Sequence, residues 1–312
     1  MGVTSDDLFG DPTGIQIAAP GSYGQRPPSY RLPDALRLGP VALQVANLER
    51  SLDYYRDVLG LAVLDHGGGQ ARLGSHGDRR ALVELVERKG ARRADAAPHH
   101  GLFHFAILLP SREALGRFVR HLGEIGVRAG AGDHLVSEAF YLTDPDGLGI
   151  EVYADRPRDT WKRDGRELMM ATDPVDVRGL VQSAGATTWT GMPAGTVMGH
   201  VHLHVGDTTA AGAFYGDAMG FDRIVWRYPG ALFLSAGGYH HHLGANTWAG
   251  PRAATPGPDD AQLLAWTIVL PDAASVGAVA GSLEAAGHAV TRVGDGISVR
   301  DPWGTPVEVR VG

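Results

Sequence analysis

Between Gly132 and Tyr153 the chain reads GDHLVSEAFYLTDPDGLGIEVY, which places His134, Tyr141 and Glu151 close together in sequence. The turn preferences of Asp, Pro and Gly explain Asp144 to Gly147. They predict a hairpin with strands over Ala139–Thr143 and Leu148–Tyr153. They do not explain Glu151, which sits between Ile150 and Val152 in an apolar strand that must point one face inward. A carboxylate turned inward is costly unless it is paired or binds a metal. The residues that could meet it are histidines. His104 lies in LFHFAILLP, His200, His202 and His204 in GHVHLHV, and His240, His241 and His242 in SAGGYHHH. Strand alternation puts His200, His202 and His204 on one face and turns His241 away from His240 and His242. The chain holds 14 His and no Cys, so a thiolate metal site, a disulfide and a Cys nucleophile are all excluded.

The remaining composition is ordinary for a globular protein. The 312 residues are 44% hydrophobic and 20% charged, enough for two domains. The net charge of -7, with basic residues spread along the chain, argues against a nucleic-acid partner. No apolar run reaches the roughly 20 residues that span a bilayer. The first residues lack a basic start followed by an apolar segment, so a cytoplasmic protein is expected.

The elements that must position these side chains are repeated. LGPVALQVANLERSLDYYRDVLGL begins at Leu38 and MGHVHLHVGDTTAAGAFYGDAMGF at Met198, an offset of 160 residues. Each reads as an alternating strand, a helix-length stretch and a Gly stop. A weaker pair, from Leu102 and from Leu264, aligns Leu109-Pro110 with Leu270-Pro271 and Gly126 with Gly287. Each member then reaches an Asp-Pro-x-Gly turn and a strand carrying Glu, so Glu308 is the counterpart of Glu151. The chain is thus four modules of strand, helix and several strands, starting near Leu38, Gly101, Met198 and Leu263. The expected organisation is an extended arm over 1–37, a first domain over 38–154, a linker over 155–197 with a short helix near Val175–Ala184, and a second domain over 198–312.

Four such modules resemble the vicinal oxygen chelate superfamily. Gly132, His134, Phe140-Tyr141, Asp144-Pro145, Gly147 and Glu151 match the signature of its extradiol ring-cleavage dioxygenases, and SAGGYHHH resembles a phrase of the two-domain type. The resemblance implies an α+β fold. Four βαβββ modules would form two glyoxalase/bleomycin-resistance-like domains with cupped sheets around a metal. In that superfamily, ligands come from the first and last strands of a module. First-strand positions here are Pro40, His104, His200 and Ala265; last-strand candidates are Glu84, Glu151, one of His240 to His242, and Glu308. Two sets give two His and one carboxylate. One is His104, Glu151 and His200 from modules two and three. The other is His200, one of His240 to His242, and Glu308 from modules three and four. The first is preferred, because His134 and Tyr141 precede Glu151, whereas no His precedes Glu308 in the same way.

The resemblance further implies Fe(II), with Mn(II) as the alternative ion, a catechol and O₂ as substrates, and a homo-oligomer. The reaction would open the ring to a semialdehyde. His241 would handle protons beside the oxygen, although a slip of one residue would favour His240 or His242. His134 and Tyr141 would contact the substrate oxygen, and Phe105, Phe140 and Trp248 would wall the ring. Glu84 is expected to pair with Arg79 or Arg80, and His99 and His100 to be solvated or structural. The alternatives are a glyoxalase-like lyase or transferase and a metal-free binding protein of the same fold. The former class usually uses more carboxylate or Gln ligands and lacks the His134–Tyr141 pair, and the latter would not need three converging metal ligands.

Overall fold

The computed structural model describes residues 2–10 and 14–312; residues 1 and 11–13 of the expected arm lie outside this description. The rest of the arm carries α1 (Ser5–Phe9) and β1 (Gln16–Ile17). Module one contains β2 (Arg37–Val45), α2 (Leu48–Asp53), β3 (Ala62–Gly67), β4 (Gln70–Gly74) and β5 (Ala81–Glu87). Module two contains β6 (Gly101–Leu108), α3 (Arg112–Glu124), β7 (Gly130–Asp133), β8 (Ser137–Thr143) and β9 (Gly149–Asp155). The linker supplies β10 (Lys162–Asp164), β11 (Glu167–Leu168) and α4 (Val177–Ser183), and β10 pairs with β1 of the arm. Module three contains β12 (Val197–His204), α5 (Thr208–Ala211), β13 (Asp222–Val225), β14 (Ala231–Ser235) and β15 (Leu243–Asn246). Module four contains β16 (Gln262–Leu270), α6 (Ala273–Ala285), β17 (Thr291–Val293), β18 (Gly296–Arg300) and β19 (Pro306–Val311).

The helices form where local sequence favours them. Ser111 and Asp272, each just after the Leu-Pro step, cap α3 and α6 by accepting from Ala114 N and Ser275 N. The spacing of Ala114, Leu115, Phe118 and Leu122 gives α3 one buried face. In modules one and three the helix runs on as a π-helical segment, Tyr54–Val58 and Gly212–Ala218. The repeat therefore extends to an uncommon backbone feature.

Two eight-stranded mixed sheets result, with orders β13-β14-β15-β12-β6-β9-β8-β7 and β17-β18-β19-β16-β2-β5-β4-β3. Modules two and three share the first sheet, and modules one and four the second. Each sheet is joined at its centre by two antiparallel first strands, β6 with β12 and β2 with β16. Within a module the first and last strands pair in parallel.

Two matched hydrogen bonds link the sheets. Tyr55, fully buried in module one, donates its hydroxyl to Asp144 Oδ2 of the module-two turn at 3.1 Å. Tyr215 donates to Asp301 Oδ2 of the module-four turn at 2.9 Å. Burial raises the Asp144 carboxyl to about 6 despite backbone N–H groups from Asp146 and Leu148. Removing either hydroxyl leaves a buried carboxylate one donor short. Tyr55→Phe and Tyr215→Phe are each expected to cost about 1–3 kcal/mol in urea unfolding. Unchanged midpoints in both variants would show that these bonds do not tie the sheets.

Candidate metal centre

The centre of the first sheet brings one cluster together. Ala106 in β6 lies opposite His200 of β12 on one side and Glu151 of β9 on the other. Its methyl group is small enough for both long side chains to converge above it. His104, two residues earlier on the same strand, joins them. His104 Nε2 is 3.0 Å and His200 Nε2 is 3.3 Å from Glu151 Oε2, and the two Nε2 atoms are 3.4 Å apart. All three residues are buried, and among the described residues they form the one group with atoms close enough to share an ion.

Two irregularities in the β6–β12 pairing aim these side chains. The register shifts once between Met198 and His200 and once opposite His202 and Leu203, leaving Gly199 and Phe103 as extra residues. Such bulges bend a strand and redirect side chains. Gly199 is needed for a second reason: a Cβ there would stand 1.9 Å from the Tyr153 hydroxyl.

The electrostatics suit a cation. Burial alone would raise the Glu151 carboxyl, but His200 and His104 hold it well below the usual carboxylate range. Burial lowers the His200 imidazole to about 4, against the opposite pull of Glu151. Glu151 is then a carboxylate and His200 a neutral imidazole with a nitrogen lone pair available. Donor atoms at right angles around an ion, about 2.1 Å from it, would be separated by roughly 3.0 Å. The observed spacings approach that edge length. A donor set of two imidazoles and a carboxylate on one face suits Fe(II) and related divalent ions.

Tyr141 lies directly across the strand pair from Glu151. Its hydroxyl is 2.5 Å from His134 Nε2, while His134 Nδ1 is 2.7 Å from the Ala171 carbonyl. The carbonyl can only accept, so His134 donates from Nδ1 and accepts a hydrogen bond from the Tyr141 hydroxyl at Nε2. Burial and the Glu151 charge raise the Tyr141 hydroxyl well above its usual range, so it stays a phenol. Leu135, next to His134, has a φ of 68°, left-handed for a branched residue.

The triple-His run departs from the strand expectation. It lies in the turn before β15, and the register places Gly244 opposite His202, where Ala106 faces Glu151 in module two. Module three therefore offers no last-strand ligand. Of the run, His241 packs on His200, with ring centroids 4.0 Å apart, and against Phe233 at 5.0 Å. Burial and then His200 hold the His241 imidazole well below its usual range. His240 is buried behind it, and His242 turns to Ser235 Oγ and Ala236 N. His204 bonds Asn246. His202 lies between His104 and Trp248, and its Nε2 has no hydrogen-bond partner among the described residues. His99 and His100 are half-buried.

The expected wall is partly corrected. Phe105 stacks on Tyr55 and Phe140 joins the main core, so both lie on the opposite face of the sheet from the cluster. Phe103, Phe233 and Tyr228 instead group with Trp248 around His202 on the cluster's face. No sequence signal marks the bulge that turns Phe103 to this face. The second sheet keeps the carboxylates without the histidines. Glu84 and Glu308 occupy the register of Glu151, opposite Ala42 and Thr267. Glu84 pairs with Arg72 at 3.4 Å rather than with Arg79 or Arg80, and Glu308 pairs with Arg310. A cavity of about 490 Å³ on that side is lined by charged residues including Arg37, Arg72, Arg80 and Arg310. No helix among the described residues is long and apolar enough to cross a membrane.

Comparison with known proteins places this geometry in a family. The model of the Glyoxalase/Bleomycin resistance protein/Dioxygenase superfamily matches residues 37–152 and 197–309. A Catechol-2,3-dioxygenase of Bacillus subtilis (strain 168) is 47% identical over 269 residues, covering 85% of this chain and 93% of the relative. A Lactoylglutathione lyase of Neisseria meningitidis serogroup B (strain ATCC BAA-335 / MC58) is 32% identical over 132 residues, 40% of this chain and 94% of the relative. Among solved structures, glyoxalase I from Zea mays shares the fold with a TM-score of 0.54 at 19% identity, covering 88% of this chain and 92% of that one. The family model spans both halves of the sequence, and this chain belongs to the Glyoxalase/Bleomycin resistance protein/Dioxygenase superfamily.

Proposed function

We propose that this protein is an Fe(II)-dependent extradiol dioxygenase that opens a catechol ring with O₂ to give a semialdehyde. The observation that carries the reading is the buried face of His104, Glu151 and His200 with the Tyr141–His134 pair beside it. The 47% identity to a catechol-2,3-dioxygenase over 85% of the chain supports it. Bound there, Fe(II) would supply Lewis acidity and open positions for both reactants.

The chain's own groups complete the chemistry. Glu151 contributes one negative charge and imidazole ligands bring none, so a divalent ion would keep part of its charge. The Tyr141 hydroxyl, whose hydrogen points to His134 Nε2, can accept a hydrogen bond from a substrate hydroxyl through its oxygen lone pairs. His241, packed against His200, provides a neutral imidazole suited to moving a proton. Phe103, Phe233 and Trp248 form aromatic walls for a flat ring.

Two experiments test this reading. After anaerobic purification and loading with Fe(II), catechol or a methylcatechol should consume O₂ and give a yellow ring-opened product. Absence of O₂ uptake with catechol, 3-methylcatechol and 4-methylcatechol would remove the proposal. The ligand assignment is tested by iron content. Folded Glu151→Ala should lose iron and activity, whereas Glu308→Ala should keep both and cost on the order of 1 kcal/mol of stability. The reverse pattern would place the ion at Glu308.

A further inference from the structure

Behind His241 lies a connected set of polar groups that the proposed reaction does not yet use. His240 is fully buried, and its Nε2 is 3.0 Å from Asp155 Oδ1. Its Nδ1 is 2.7 Å from His241 Nδ1. Asp155 is itself held, because Tyr239 donates its hydroxyl to the same Oδ1 at 3.1 Å and Tyr239 is 2.6 Å from the Tyr153 hydroxyl. Asp155 ends β9, the strand that carries Glu151. One strand therefore positions both the carboxylate of the metal cluster and the carboxylate behind His241.

Hydrogen-bond bookkeeping assigns the protons. An ionised carboxylate can only accept, so His240 must carry hydrogen on Nε2. His240 is enclosed by the rings of Tyr239, Trp161 and Tyr153, at centroid distances of 4.1, 5.5 and 5.9 Å. In the uncharged form of the ring, hydrogen on Nε2 leaves a bare lone pair on Nδ1. Two nitrogens at 2.7 Å need one hydrogen between them, and His241 Nδ1 must supply it. The other His241 nitrogen, Nε2, is then left with a lone pair, while its ring lies between His200 and Phe233 at the cluster.

We infer that Asp155 and His240 are positioning residues that hold His241 as its Nδ1–H tautomer, leaving Nε2 as a hydrogen-bond acceptor beside the metal cluster. This rests on the extradiol reading for its catalytic consequence, not for the tautomer itself. The logic is that of a carboxylate orienting a catalytic imidazole, with a second imidazole interposed. Without the relay, His241 could rotate or exchange tautomers and present an N–H where an acceptor is needed.

The direct test is ¹⁵N NMR of the full chain loaded with diamagnetic Zn(II), with the His241 signals assigned by their loss in His241→Gln. The wild type should show hydrogen on Nδ1 and a bare Nε2. In Asp155→Ala and in His240→Phe the population should shift toward Nε2–H. The iron-loaded variants should keep their iron and their KM for catechol, while kcat falls about 10-fold or more. Asp155→Asn, which retains a carbonyl oxygen for His240, should restore most of the wild-type tautomer. Hydrogen on Nε2 of wild-type His241 would overturn the inference, as would folded Asp155→Ala and His240→Phe proteins with wild-type tautomer and kcat. The spectra need no substrate. If iron-loaded wild type fails to cleave catechol, the functional reading falls while the tautomer assignment is judged separately.

Discussion

The structure depends on a carboxylate placed where water cannot reach it. Glu151 is 2% exposed in the middle of a sheet, and an unpaired charge there would cost several kcal/mol. Two imidazoles on neighbouring strands offset that cost, and they can do so only if β6 and β12 run side by side. Sequence order alone would allow modules one and two to form one sheet and three and four the other. The observed pairing of modules two and three places the histidine-bearing first strands together at the centre. Ala106, between His200 and Glu151, leaves room for their ends to meet.

The second sheet shows what the same scaffold does without that constraint. Its first strands carry Pro40 and Ala265 at the positions of His104 and His200. Glu84 and Glu308 keep the carboxylate register but are partly exposed, and each is satisfied by one arginine. The repeat thus preserved strands, turns and the two tyrosine–aspartate bonds in both halves, whereas the buried imidazole–carboxylate cluster occurs in one sheet. The Tyr55 and Tyr215 bonds run between sheets, which explains why the turn aspartates recur even where no metal cluster follows.

Much of this was legible from residue order. The 160-residue repeat exposed the four modules, and the Asp-Pro-x-Gly turn located the strand after it. Glu151 between Ile150 and Val152 signalled an inward carboxylate before any partner was known. What remained hidden followed from register. Strict alternation cannot reveal that Phe103 is a bulge residue, so Phe105 was expected at the wall where Phe103 stands. It also treated Tyr239 to His242 as strand, although Gly237 and Gly238 take left-handed φ values and the run forms a turn. That turn lets His240 and His241 meet through their Nδ1 atoms, an arrangement strand alternation would forbid. Asp155, outside the signature, carried no sequence signal of its role.

The central claim is that one ion sits above Ala106, held by His104, Glu151 and His200. Crystals of the iron-loaded protein, measured at the iron absorption edge, test it most directly. The account predicts one anomalous peak per chain, within about 2.0–2.2 Å of His104 Nε2, His200 Nε2 and a Glu151 oxygen. A peak beside Glu84 or Glu308, or an iron held by His240 to His242 without Glu151, would contradict it.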